Sequence, residues 1–230
     1  MISRPTLAVM YCCPTEYFGA QHFNYAQRFA KTMEQFDPGF DFTFVVVSNG
    51  GAPSEAVCQT FGQFAPHFLV HDDSGMDIGA YQIAAQSASC DLMLFFGGST
   101  YIRGNNWARR VMESYEKHGN ALYGVMGHTG DDRFNVFPHI RTTGFWCPPS
   151  LMNTYPLRIR MSEQRYPFEH GHNCLTQWVR RQGLKALVVT WDHEYEQDMW
   201  GAIPGGYHNG TQFGMLFGDR LSEPPFHPTP

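Results

Sequence analysis

Short apolar runs, each closed by small polar residues and separated by helix-compatible stretches, set the pattern of this chain. Thr6 to Cys12 is apolar without alternation and is broken by Pro14, so it predicts a buried strand. Phe29 and Met33 fall on one face of a helix predicted over Gln21 to Gln35, and Asp37-Pro38-Gly39 forms the turn after it. Phe42 to Val47 predicts a second strand, closed by Ser48-Asn49-Gly50-Gly51. Pro53 to Phe61 predicts a short helix with proline near its start. His67 to Val70 is a third strand, followed by a helix from Ile78. Leu92 to Phe96 is a fourth, ending at Gly97-Gly98-Ser99-Thr100. A helix over Asn106 to Lys117 and a fifth strand over Ala121 to Met126 complete a regular β-α alternation. Apolar strands alternating with helices predict an α/β fold with an open, mostly parallel twisted sheet and helices on both faces.

The pattern weakens after Gly127. Asp131-Asp132-Arg133 reads as a loop tip, Ile140 to Cys147 as a strand stopped by Pro148-Pro149, and Ser150 to Asn153 as one helical turn. Asn173 to Gln182 reads as a helix with Gly183 as its C-cap, and Ala186 to Thr190 as a late strand. From Gly201 the chain is rich in Gly and Pro and reads as irregular.

The segment Asp73-Ser74-Gly75-Met76-Asp77-Ile78-Gly79-Ala80-Tyr81 sits where an open α/β sheet binds its ligand, at the carboxyl end of a strand. Gly75 and Gly79 allow backbone N–H groups to approach a phosphate, and Asp77 supplies a carboxylate for a sugar hydroxyl, a ribose or a metal. The same stretch also fits a tight turn and helix cap. Asn49 and Ser99 close neighbouring strands, so Asn49, Asp77 and Ser99 are expected to surround one polar ligand.

At 230 residues the chain is long enough for one sizeable core. A formal charge of −5 and the lack of a basic stripe argue against a nucleic-acid surface. None of the six cysteines makes a C-x-x-C pair, so free, mostly buried thiols are expected. No run approaches a membrane span, and Met1-Ile2-Ser3-Arg4-Pro5 leads into no long apolar region, so the expectation is a soluble, cytoplasmic protein without a transmembrane segment. The first βα turn lacks G-x-G-x-x-G, and neither G-x-x-x-x-G-K-[ST] nor G-x-S-x-G occurs. These absences argue against a dinucleotide-binding domain, a P-loop NTPase and an α/β-hydrolase.

The order strand, Ser48-Asn49-Gly50, strand, Asp77-Ile78-Gly79-Ala80-Tyr81, strand, Phe95-Phe96-Gly97-Gly98-Ser99 resembles a GT-A-type glycosyltransferase, and within that class the rhamnan-synthesis group that builds bacterial surface polysaccharides. The resemblance spans roughly Leu7 to Trp191. It implies a single domain over 1–200, with a nucleotide-sugar half to about 127 and an acceptor half from about 128 to 200, and a tail over 201–230. It implies transfer of a sugar from a nucleotide-sugar donor to a glycan or lipid-linked acceptor. Asn49, Gly75, Asp77, Gly79 and Ser99 are then the donor-binding residues. Arg141 and Thr143, in the stretch Ile140 to Phe145, face the donor sugar and acceptor. Trp146 is the best placed of the five tryptophans for stacking on a sugar. Phe168-Glu169-His170-Gly171 resembles the place where inverting members carry an acidic base. Either Glu169 or His170 serves there, with Glu169 preferred.

One departure concerns the metal. GT-A enzymes usually close the fourth strand with Asp-x-Asp, which holds a divalent cation on the diphosphate. Here the equivalent is Gly97-Gly98-Ser99. Neither manganese nor magnesium has that motif to bind, and backbone N–H groups, Arg103 or Arg141 are the expected phosphate partners. The missing carboxylates also fit a second reading, a binding module of this fold without catalysis. A third reading, a metal-dependent hydrolase, uses His170, His172 and His193 with Asp192 and Glu194. If one helix runs from Glu169, then Glu169, His172, Asn173 and Thr176 share a face.

Overall fold

In the computed structural model, residues 4–14, 20–206, 212, 214–220 and 222 are described. The unbroken apolar runs become the centre of one sheet. β1 (Leu7–Pro14), β2 (Thr43–Asn49), β3 (His67–His71) and β4 (Leu92–Phe96) alternate with α1 (Ala20–Gln35), α2 (Glu55–Phe61) and α3 (Met76–Ser87). Then come β5 (Tyr101–Ile102), α4 (Trp107–His118), β6 (Leu122–Gly124), β7 (Gly127–His128), β8 (His139–Ile140) and β9 (Gly144–Cys147). The last part holds α5 (Pro149–Thr154), α6 (Arg165–Glu169), α7 (Leu175–Arg181), β10 (Ala186–Val189), β11 (Glu194–Tyr195) and β12 (Phe217–Gly218).

The eight-stranded sheet runs β11-β10-β6-β9-β4-β1-β2-β3. β3, β2, β1 and β4 pair in parallel, as do β6 and β10, while β9 enters antiparallel between β4 and β6. Every residue of β4 is buried, which is the consequence of helices on both faces and explains its uninterrupted apolar run. On one face Tyr11 stacks on Phe29 with ring centroids 4.3 Å apart, and Phe61 packs beside them. On the other, Phe95 stacks on Phe145 at 4.8 Å and Tyr81 meets both edge-on. Ser54 caps α2 by accepting the Val57 N–H. The architecture is an α/β sheet, mostly parallel and flanked by helices.

Three expectations change. Ile140 to Cys147 is not one strand: β8 pairs with β7 outside the main sheet, and β9 begins only at Gly144. The break at Thr142-Thr143 is held by three donors, because Thr142 O accepts from Tyr81 Oη (3.0 Å) and Thr143 O accepts from Gly97 N (3.0 Å) and Thr100 Oγ1 (2.5 Å). Second, no helix runs from Glu169 through Thr176. Glu169 closes α6, the Cys174 N–H to Gly171 O turn intervenes, and α7 starts at Leu175. Third, part of the segment after Gly201 is core: β12 pairs antiparallel with β5, and buried Phe217 meets Phe96 and Trp107. Residues 207–211, 213, 221 and 223–230 of that expected tail lie outside the described residues. All six cysteines are free thiols, four of them buried.

Candidate active site

The carboxyl ends of β1, β2 and β4 open onto one cavity of about 310 Å³. Asn49, Asp77, Ser99, Arg141, Thr143, Glu169 and His170 all line it, together with Asp73, Thr142, His139, Arg165, Asp219 and Arg220. Residues distant in sequence converge because the parallel strands all end on the same edge of the sheet, where α3, the Thr142-Thr143 break and α6 meet.

Asp77, in the first turn of α3, faces Arg165 at the start of α6, with Oδ1 2.9 Å from Nε. The same guanidinium lies 3.6 Å from Glu169 Oε2, one helical turn on. Burial pushes the Asp77 carboxyl up to about 6; Arg165 opposes that rise and the Glu169 charge adds to it. Glu169 Oε1 accepts the Thr142 hydroxyl, and Oε2 stands 3.9 Å from His170 Nε2. His170 Nδ1 is 2.9 Å from His139 Nε2, and His139 Nδ1 is 2.8 Å from Phe137 O.

Asn49 bridges two loops. Its Nδ2 donates to Asp73 Oδ1 (2.5 Å), and its Oδ1 accepts from His71 Nδ1 (2.6 Å). This clamp helps hold Asp73 in the left-handed conformation, φ +67°. The Gly97–Ser99 loop is fixed from below: Tyr11 Oη donates to Gly98 O and Arg28 Nη2 to Ser99 O, both at 2.7 Å. On the far side Asp219, 1% exposed, sits 3.7 Å from Arg141 Nη2 and accepts the Ser222 N–H at 3.1 Å.

Several expected site residues lie elsewhere. Gly75 does not line the cavity; it turns at φ +75°, and a side chain there would strike the Ile159 carbonyl. Gly79 lies inside α3 so close to the Ser74 carbonyl and the His71 ring that a Cβ has no room. At both positions the packing of the chain itself requires glycine. Trp146 is fully buried in β9, stacks on Tyr123 at 5.8 Å and donates its indole N–H to Ser114 Oγ, so it presents no face to the cavity. Arg103 turns away and donates to Gln212 O at 2.6 Å. Glu194 cannot anchor a metal cluster with His193, because Arg110, Lys117 and His118 already surround its carboxylate.

His139, Arg165, Asp219 and Arg220 escaped the sequence reading, and Asp73 enters it only as part of the ligand-binding turn. Two carried a signal. Arg165 and Glu169 stand at the i, i+4 spacing of a helical ion pair. Gly218-Asp219-Arg220 follows the apolar Met215-Leu216-Phe217, the same run-then-polar pattern as the other strand ends.

A divalent cation of the kind the resemblance implies does not fit these donors. Asp77 faces Arg165, Asp219 faces Arg141 and Asp73 accepts from Asn49. Among the described residues no three His, Cys, Asp or Glu side chains converge on a point where a metal ion can be held. Nor is any helix among them long and apolar enough to cross a membrane.

No protein-family model matches the sequence, and no curated protein does. Solved structures with a similar fold include apo mouse xyloside xylosyltransferase 1, 10% identical, with a TM-score of 0.48 over 78% of this chain and 82% of that one. A mannosyltransferase from Pyrobaculum calidifontis, solved with GDP-Man and Mn2+, is 11% identical with a TM-score of 0.47 over 67% of this chain; the match spans about half (48%) of that protein. A putative glucose-1-phosphate thymidylyltransferase from Bacillus anthracis is 10% identical, with a TM-score of 0.48 over 78% of this chain and 85% of that one.

Proposed function

We propose that the chain is a glycosyltransferase that moves a sugar from a nucleotide-activated donor to a hydroxyl of a glycan or lipid-linked acceptor, as the resemblance to the rhamnan-synthesis group implies. One observation carries this reading: the Glu169–His170 pair stands in the same strand-end cavity as three guanidinium-bearing residues, Arg141, Arg165 and Arg220. A base beside fixed cations is the arrangement this chemistry needs. The acceptor oxygen attacks the anomeric carbon, the bond from that carbon to the phosphate oxygen breaks, and the nucleoside diphosphate departs. The base takes the acceptor proton, and the arginines stabilise the charge growing on the leaving group.

In this reading Asn49 and Asp73 line the donor end, with Asp77 beside the sugar and Ser99 beside the phosphates. Arg141 and Thr143 sit between donor and acceptor. The arginines take the role that a cation on Asp-x-Asp has elsewhere in the fold class. Transfer is then mainly a matter of positioning and electrostatics.

The test is release of nucleoside diphosphate from a panel of nucleotide sugars, each with and without glycan and lipid-linked acceptors, alongside thermal shift with the same donors. Acceptor-dependent release supports the transferase. Donor-induced stabilisation with no release across the panel supports the binding-module reading instead. Neither stabilisation nor release removes nucleotide sugars as ligands.

A further inference from the structure

His139 and His170 form a hydrogen-bonded chain whose direction can be read from its end. The Phe137 carbonyl only accepts, so the His139 nitrogen 2.8 Å away, Nδ1, carries the hydrogen. His139 is 2% exposed, and burial pushes its pKa down to about 3; the hydrogen bond to the Phe137 carbonyl opposes that fall, and His170, His128 and Arg141 add to it. It is therefore neutral near pH 7, and its Nε2 has a lone pair and no hydrogen. The 2.9 Å contact from that Nε2 to His170 Nδ1 then needs its hydrogen on His170. Neutral His170 is left with a bare Nε2, which looks toward Glu169 Oε2 at 3.9 Å, too far for a direct hydrogen bond.

We infer that His170 Nε2 is the proton acceptor of this cavity, and that His139 is a positioning residue that holds His170 in the tautomer this requires. The inference rests on the transferase reading for the identity of the proton, which is that of the acceptor hydroxyl. As the acceptor oxygen bonds to the anomeric carbon, its proton passes to Nε2 and His170 becomes an imidazolium. Glu169 stabilises that cation. The Phe137 carbonyl and His139 keep the ring from turning. Burial lowers the His170 pKa, Glu169 raises it, and Arg141 and Arg165 lower it. Tyr166 covers one side of the ring at 5.1 Å between centroids. Burial and the two arginines thus keep His170 neutral and able to accept.

Nitrogen-15 NMR of the histidine side chains tests the tautomer without any substrate. The expected result for the full chain near pH 7 is His170 and His139 both protonated at Nδ1. A His170 protonated at Nε2 overturns the inference. His139→Leu removes the acceptor and is expected to abolish the His170 tautomer preference and to lower kcat roughly 100-fold with donor KM unchanged. His139→Gln keeps an acceptor oxygen near the Nε2 position and is expected to restore both. If His139→Leu does not fold, the wild-type spectrum and the His139→Gln rates decide. A wild-type tautomer as expected, with no nucleotide sugar consumed, rejects the transferase reading and keeps the His139–His170 arrangement. Normal kcat in folded His139→Leu rejects the positioning role alone.

Discussion

Asp77 and Arg165 stand 88 residues apart in sequence and meet with Oδ1 2.9 Å from Nε. This contact ties the parallel half of the sheet, through the turn after β3, to the late segment that carries Glu169 and His170. It also sets the charge state of the cavity. Burial raises Asp77, the guanidinium only partly counters it, and Glu169 competes for the same cation.

That competition predicts a pH signature. The Asp77 pKa is raised from 3.8 to about 6, so between those values the folded state binds more protons than the unfolded chain. Folding stability therefore falls as pH rises through that window, by about 1–2 kcal/mol once the partial exposure of the pair is allowed for. Asp77→Asn is expected to remove this component. Urea unfolding at intervals from pH 4 to 7 checks it: the stability of the wild type relative to the variant should decline with rising pH and level off above about pH 6. A pH-independent difference would contradict the buried-carboxylate account.

Cation supply is the second prediction. With Asp77 and Asp219 facing arginines, turnover is expected to survive EDTA and to gain little from manganese. Arg141→Gln is expected to weaken nucleoside-diphosphate binding by about 2 kcal/mol, the worth of a charge-assisted hydrogen bond. Isothermal titration with the diphosphate, with and without manganese, measures both. Binding that needs the metal would show that the carboxylates exchange their arginine partners for an ion.

The third prediction concerns Glu194, 8% exposed and in contact with Arg110 (2.7 Å), Lys117 (2.5 Å) and His118 (3.2 Å). Burial raises its pKa, but hydrogen bonds from Lys117, Arg110 and His118 outweigh that and bring it down to about 2. A depressed carboxylate adds stability above its unfolded pKa, and this stability is lost as pH falls from about 4.5 to about 2. Glu194→Gln is expected to cost about 3 kcal/mol near pH 7. It should leave donor affinity unchanged, since Glu194 is not on the cavity. Denaturant midpoints and one donor titration decide it.

Much of the scaffold was legible because it rests on local pattern. Leu92 to Phe96 reads as a strand from five apolar residues and a Gly-Gly stop, and those are its bounds in the structure. Asn49, Asp77 and Ser99 share a cavity because strand ends of a parallel sheet converge, which the alternation of elements predicts. The misses depend on non-local contacts. Trp146 beside a polar turn looks available, but β9 lies in the interior of the sheet between β4 and β6 and all four of its residues are buried. Arg165 has an i, i+4 partner in sequence, whereas its contact with Asp77 exists only after the chain closes on itself. Asp219 reaches the cavity only because β12 returns to pair with β5. The His139–His170 chain depends on the split of an expected single strand into β8 and β9, a break held by Tyr81, Gly97 and Thr100.

The last prediction separates the two members of the base pair, for which the sequence favoured Glu169. In the structure Glu169 already accepts the Thr142 hydroxyl and shares Arg165, whereas His170, in the tautomer inferred above from its contact with His139, has a bare Nε2. If His170 accepts the proton, Glu169 acts on it through charge alone. Glu169→Gln then removes an influence that raises the His170 pKa, so the acid limb of the kcat–pH profile moves to lower pH. The expected loss at the plateau is about 10-fold, the share of one nearby charge, while His170→Gln is expected to lose roughly 100- to 10,000-fold. Donor Kd should hold in both, since a base acts on the acceptor proton in the transition state. If Glu169 is the base instead, Glu169→Gln produces the larger loss and removes the acid limb, and His170→Gln leaves that limb in place. Measuring kcat and donor Kd for the two variants from pH 5 to 9 distinguishes these outcomes, because only a residue that itself takes the proton carries the limb away with it.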